Sequence, residues 1–112
     1  DEELLHAVTA ISGSAPAYFF YMLENMIATG EKLGLTQTQA TALAMQTALG
    51  SAQMALTSHD TPAELRRKVT SPNGTTQAAI EVMDAKKMHQ IIADAMIACE
   101  QRSRELSQAF GK

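Results

Sequence analysis

Residues 69–77 read Val69-Thr70-Ser71-Pro72-Asn73-Gly74-Thr75-Thr76-Gln77, crowding hydroxyls around a proline, an asparagine and a glycine. Pro72 fixes φ and has no N–H, while Asn and Gly are the residues most at ease with positive φ, so the run predicts a tight reversal. Ala78, Ala79, Val82 and Met83 follow at helical spacing, with Thr75 or Thr76 placed to cap the helix. The first N–H groups of a helix lack intrahelical acceptors and sit at the positive end of the macrodipole. A carboxylate or phosphate fits there, beside the threonine hydroxyls. Most such turns bind nothing, so pattern alone leaves a plain helix cap standing beside the anion site.

Other reactive residue types do not assemble. His6, His59 and His89 are far apart and lack the Glu-x-x-His spacing of a bundle metal site, so each reads as structural or solvated and no metal is expected. Cys99 falls on an apolar stripe and reads as a small core residue rather than a nucleophile. Glu81 and Asp84 lie three apart on one helix, without a further ligand to complete a site, and are expected to face water. Arg66, Arg67 and Lys68 stand just before the turn, either to draw in an anion or as a solvated face.

These residues must be held by helices. The 112 residues carry a formal net charge of −3, no Trp and scattered basic residues, a balance that argues against nucleic acid. One cysteine excludes an intrachain disulfide and fits a reducing compartment, the cytoplasm by default. The sequence opens Asp1-Glu2-Glu3 without methionine or a basic-then-apolar leader, which reads as a fragment or processed product. Residues 4–23 and 33–59 hold no Asp, Glu, Lys or Arg, but with their Thr, Gln, Ser, Gly and His neither reads as a membrane span. Ala40, Ala44, Ala48 and Ala52 form a ridge of small residues, with Leu43, Met45, Leu49, Met54 and Leu56 around the rest of that helix. Such a helix belongs in an interior, and a chain of this length struggles to surround two of them. Burial by a second copy is the expected solution, with a wide-cored monomeric bundle as the alternative.

The predicted elements are all helical. Leu4–Ile11 starts the chain, Ser12–Pro16 breaks it, and a long run continues to Leu33, ended by Gly34. Thr36 with Gln39, and Thr61-Pro62 with Glu64, are capping boxes that open helices to about Thr57 and Lys68. The helix after the turn runs to about Ala85. A terminal helix then places Met88, Ile92, Ala95, Cys99, Leu106 and Phe110 on one apolar stripe.

Together, Pro62-x-x-Leu65-x-x-x-Val69-Thr70-Ser71-Pro72-Asn73-Gly74-Thr75-Thr76-x-x-Ala79-Ile80-x-x-Met83-Asp84, the segment Ala7 to Tyr18 and Arg102-Ser103-Arg104-Glu105-Leu106 closely resemble the pyrroline-5-carboxylate reductase family. Two positions depart from its pattern: Ala15 stands where the family usually has Gly, and Asn73 where it often has a first Gly. Asn tolerates left-handed backbone better than other residues with a side chain, so the turn should survive.

The resemblance implies a single all-α dimerisation and substrate-binding domain over 1–112, a homodimer of intertwined apolar helices, with larger rings of dimers left open. It implies reduction of 1-pyrroline-5-carboxylate to L-proline by NADPH or NADH held mainly by an N-terminal Rossmann domain. No G-x-G-x-x-G occurs in these residues, so this chain alone should neither hold the dinucleotide nor turn over. On the matching motif, Val69, Ser71, Asn73, Gly74, Thr75 and Thr76 are implied to bind substrate, with Thr76 near the ring nitrogen as the catalytic position. Ser14 and Pro16 are implied to meet the nicotinamide. Two alternatives remain: a non-catalytic helical dimerisation module, and the substrate domain of another two-domain NAD(P) dehydrogenase, whose lysine-centred signature is not evident here.

Overall fold

The computed structural model describes residues 1–110. Along the chain run α1 (Glu2–Val8), a π-helical turn (Thr9–Gly13), α2 (Ala15–Lys32), α3 (Gln37–Thr57), α4 (Pro62–Lys68), α5 (Thr75–Ala85) and α6 (Met88–Phe110). The fold is all-α, and the described residues contain no strand. The helices form two compact units, one from Asp1–Phe20 with the segment from Met83 onward, the other Tyr21–Val82.

In the first unit, Asp1 caps α1 by accepting from the Glu3 N–H at 3.0 Å. The break expected at Ser12–Pro16 is instead a widened helical turn that begins at Thr9. Its cause is Pro16, which has no N–H to give the Ser12 carbonyl and whose ring would clash with that carbonyl in a regular helix, a penalty of about 3 kcal/mol. Ser14 donates its N–H five residues back to the Thr9 carbonyl at 2.8 Å, and α2 starts at the next residue. The Tyr18 hydroxyl donates to the Ala10 carbonyl at 2.8 Å, holding the turn from one side.

The terminal helix α6 packs on α1 and the π turn, and the predicted stripe is covered only at Met88 and Cys99. Its better-covered residues include Met96, Cys99, Glu100, Ser103 and Arg104, whereas Ile92, Ala95, Leu106 and Phe110 stay exposed. The tether between α1 and α6 is polar: His6 Nδ1 and the Ser103 hydroxyl are hydrogen-bonded at 2.8 Å, and Arg104 pairs with both Glu3 and Glu100. Periodicity located apolar residues correctly but not the covered face, because the side of α6 that this chain covers mixes Met96 and Cys99 with Glu100, Ser103 and Arg104.

In the second unit, α2 ends in a Schellman motif. The Leu35 N–H reaches the Gly30 carbonyl at 3.1 Å, and the Gly34 N–H reaches that of Glu31 at 3.0 Å, with Gly34 at φ +110°. Both predicted capping boxes form, at Thr36 with Gln39 and at Thr61 with Glu64. A Cβ on Gly30 would lie 3.1 Å from that of Ala40. The first half of the alanine ridge, Ala40 and Ala44, is therefore buried within the chain, while Ala48 and Ala52 remain exposed.

Coverage is sparse throughout. Among the described residues the buried apolar set is Ala10, Ala15, Ala40 and Ala44, and Leu33, Leu56 and Phe110 are each more than four-fifths exposed. No helix of the described residues is long and apolar enough to cross a membrane.

Two stability predictions follow from these contacts. Gly30→Leu, forced against Ala40, should destabilise the fold by about 1 to 3 kcal/mol in chemical denaturation. The Arg104 guanidinium hydrogen-bonds to the Glu3 carboxyl and holds it below its ordinary value of 4.5. A depressed carboxylate stabilises above its unfolded pKa, and that contribution is lost as pH falls through the folded one. Melting temperature should therefore drop on acidification from about pH 5, and Arg104→Gln should flatten part of that drop.

Candidate functional site

The turn between α4 and α5 is built from its own backbone. The Gly74 N–H donates to the Ser71 carbonyl at 3.1 Å, with Pro72 and Asn73 at the two central positions. Asn73 has φ 64°, the positive value that a type II turn requires at its third residue. Left-handed backbone thus falls on Asn73 alone, and Gly74 is not left-handed as the sequence suggested. Gly74 is needed for space instead, since a Cβ there would meet the Ser71 carbonyl oxygen at 3.3 Å.

Three helix starts in the second unit differ in what they leave open. At α3 the Thr36 hydroxyl accepts from the Gln39 N–H at 3.1 Å, and at α4 the Thr61 hydroxyl accepts from the Glu64 N–H at 3.2 Å. The Thr61 backbone N–H in turn holds the Glu64 carboxyl below its ordinary range. At α5 no hydroxyl caps the helix. It begins at Thr75 itself, so both threonines lie in the first turn and neither acts as the cap expected from sequence.

Among the described residues, no acceptor takes the N–H of Thr75, Thr76 or Gln77, and the first α5 bond runs from the Ala78 N–H to the Gly74 carbonyl at 3.2 Å. The hydroxyls of Ser71, Thr75 and Thr76 are likewise unengaged, whereas Thr70 donates its own to the Arg66 carbonyl at 2.5 Å. The Asn73 N–H is committed inward, to the side-chain carbonyl of Gln77. The substrate residues named from sequence therefore share one short segment, with Val69 as the residue ending α4. Sequence reasoning overlooked Gln77. Its position four residues after Asn73, on the first turn of a helix without a hydroxyl cap, was the available signal.

The surroundings are basic and open. Arg66 and Arg67 line a groove with Thr70, Gln77, Ile80 and Glu81, and Lys68 pairs with Asp60. Val69, Ser71, Asn73, Thr75 and Thr76 are all exposed, so the segment provides donors without a wall to exclude water. Ser14 and Pro16 belong to the other compact unit, Ser14 closing the π turn and Pro16 in the first turn of α2. Tyr18 holds that turn as a neutral donor: hydrogen bonding with the Cys99 thiol and burial raise its phenol above the ordinary value. The described residues contain no cluster of His, Cys, Asp and Glu able to hold a metal ion.

A family model for pyrroline-5-carboxylate reductase dimerisation matches residues 2–106. The chain belongs to that family. It is 54% identical over 112 residues to the pyrroline-5-carboxylate reductase of Pseudomonas aeruginosa, covering 100% of this chain and 41% of that protein. The Haemophilus influenzae enzyme of the same name is 45% identical over 111 residues, with 98% and 41% covered. Among solved structures, a pyrroline-5-carboxylate reductase from Coxiella burnetii superposes with a TM-score of 0.92 at 40% identity, covering 95% of this chain and 39% of that one. The Plasmodium falciparum pyrroline carboxylate reductase with NADP bound gives 0.91 at 28% identity, with 94% and 42% covered. The chain thus spans about two fifths of the length of these relatives.

Left-handed Asn73 generates a direct test of the turn. Asn73→Ala should lower stability by about 1 kcal/mol, because alanine resists positive φ, while Asn73→Gly should not. Paired denaturant melts check the difference.

Proposed function

We propose that the chain is the dimerisation and substrate-binding part of a cytoplasmic pyrroline-5-carboxylate reductase, whose complete form reduces 1-pyrroline-5-carboxylate to L-proline. The observation that carries the reading is the start of α5, where three N–H groups and the hydroxyls of Ser71, Thr75 and Thr76 are free at a positively polarised helix end. The family match over residues 2–106 supplies the chemistry to which that geometry is suited.

In this mechanism the substrate carboxylate docks on the N–H groups of Thr75, Thr76 and Gln77 beside the Ser71 hydroxyl. The Asn73 N–H is already taken, so Asn73 acts by shaping the turn, and Gly74 by admitting the anion to the backbone. Val69 borders the ring, and Thr76 lies near its nitrogen. When bound, the nicotinamide cofactor, NADPH or NADH, supplies the hydride that adds to the C=N carbon, while the nitrogen keeps or gains a proton to give the amine. A threonine hydroxyl is a weak acid, so Thr76 contributes by hydrogen-bond positioning or relay. The half-buried Ser14 and the rigid Pro16 fit a contact with the nicotinamide end. The described residues hold no strand–helix–strand unit for the rest of the dinucleotide.

The exposed apolar faces point to a homodimer. Leu43, Met45, Leu49, Met54 and Leu56 on α3 and Ile92, Leu106 and Phe110 on α6 lack cover, and intertwining two copies would bury them. Such an interface should exceed the ~2,000 Å² of an ordinary complex. Light scattering at micromolar concentration should return the dimer mass, and a monomer would contradict this reading.

Kinetics on the full-length enzyme test the site. Thr76→Ala should reduce turnover by about 10- to 1,000-fold with the fold intact by circular dichroism, since no helix cap is lost. Gly74→Val should weaken binding of a proline analogue, its side chain pressing on the Ser71 carbonyl. Near-wild-type turnover for the first and unchanged affinity for the second would leave a helix start without a ligand. Residues 1–112 by themselves should show no reduction with either NADPH or NADH.

A further inference from the structure

Gln77 makes a contact that the substrate reading does not use. It is half-buried on the first turn of α5, and its side-chain carbonyl accepts from the Asn73 N–H. Asn73 is the one residue of the turn with positive φ, a conformation that opposes any Cβ and that asparagine relieves only partly. With a single i to i+3 backbone bond, Gly74 to Ser71, the turn would otherwise be free to relax toward ordinary φ and swing Gly74 and the start of α5 with it. The Gln77 carbonyl opposes that relaxation from within the helix. It also removes the Asn73 N–H from the donors facing outward, leaving those of Thr75, Thr76 and Gln77.

We propose that Gln77 is a positioning residue for substrate: through the Asn73 N–H it fixes the left-handed turn that aligns the free α5 N–H groups with a small carboxylate. The proposal rests on the reading of this segment as the substrate site. Gln77 acts through the backbone it holds, so its loss shows in substrate affinity ahead of chemistry.

The test uses the full-length enzyme with Gln77→Met, close in shape but lacking the carbonyl acceptor. Losing one hydrogen bond of ordinary net strength should raise KM for 1-pyrroline-5-carboxylate about 5- to 10-fold, with KM for the nicotinamide cofactor unmoved and kcat changed less. Adding Asn73→Gly, which removes the side-chain opposition to positive φ, should bring the substrate KM back toward wild type. Unchanged substrate KM overturns the proposal. So does a parallel rise in both KM values with a falling melting temperature, which marks a purely structural cap, and so does failure of Asn73→Gly to rescue. Thr76→Ala run alongside separates the two levels: if it impairs turnover while Gln77→Met leaves the substrate KM unchanged, only the positioning role falls, and if it leaves turnover intact, the substrate reading falls and this proposal with it.

Discussion

The governing constraint is an imbalance between apolar surface and the means to cover it. Folding costs on the order of 1 to 2 kcal/mol of backbone entropy per residue, and burial must offset most of that. The four buried alanines of the described residues do not. Local devices therefore carry much of the definition of each helix: Asp1 at α1, two complete capping boxes, the Schellman motif at Gly34 and the polar ties from α6 to α1. These fix where helices start and stop, but each contributes only about 1 kcal/mol. The larger stabilisation awaits contact between apolar faces.

The same constraint explains the open character of the site. A carboxylate bound to backbone N–H groups in full contact with water gains little, because water competes for the same donors. The free N–H groups of α5 become a strong anion site only when something excludes solvent. Donor geometry and solvent exclusion are thus separable, and the exposed 69–77 segment supplies the first.

Legibility from sequence followed the range of the interactions. Capping boxes, Gly34 as a stop and the left-handed Asn73 depend on neighbours a few positions away, and they read correctly from residue types. The failures involve partners the local pattern does not name. The π turn at Thr9–Gly13 arises from a proline three residues past its end, and the threonines of α5 look like caps although the helix starts at Thr75. Gln77 was passed over as a turn-holding residue because its amide resembles any exposed helical glutamine, and only its spacing from Asn73 set it apart. On α6 the periodic stripe was real, yet the chain half-covers it only at Met88 and Cys99 and also half-covers the side bearing Ser103 and Arg104, where specific polar partners decide the packing.

The ties between α1 and α6 also set an order of events. His6 meets Ser103 across 97 positions, and Arg104 meets Glu3 across 101. Contacts of such long range form late, since a large loop must close before they offer any return. On the ribosome the first helix emerges well before the last, at about 5 to 20 residues per second. For several seconds α1 and the π turn are therefore made but unsupported, and this unit cannot complete itself until synthesis has passed Arg104.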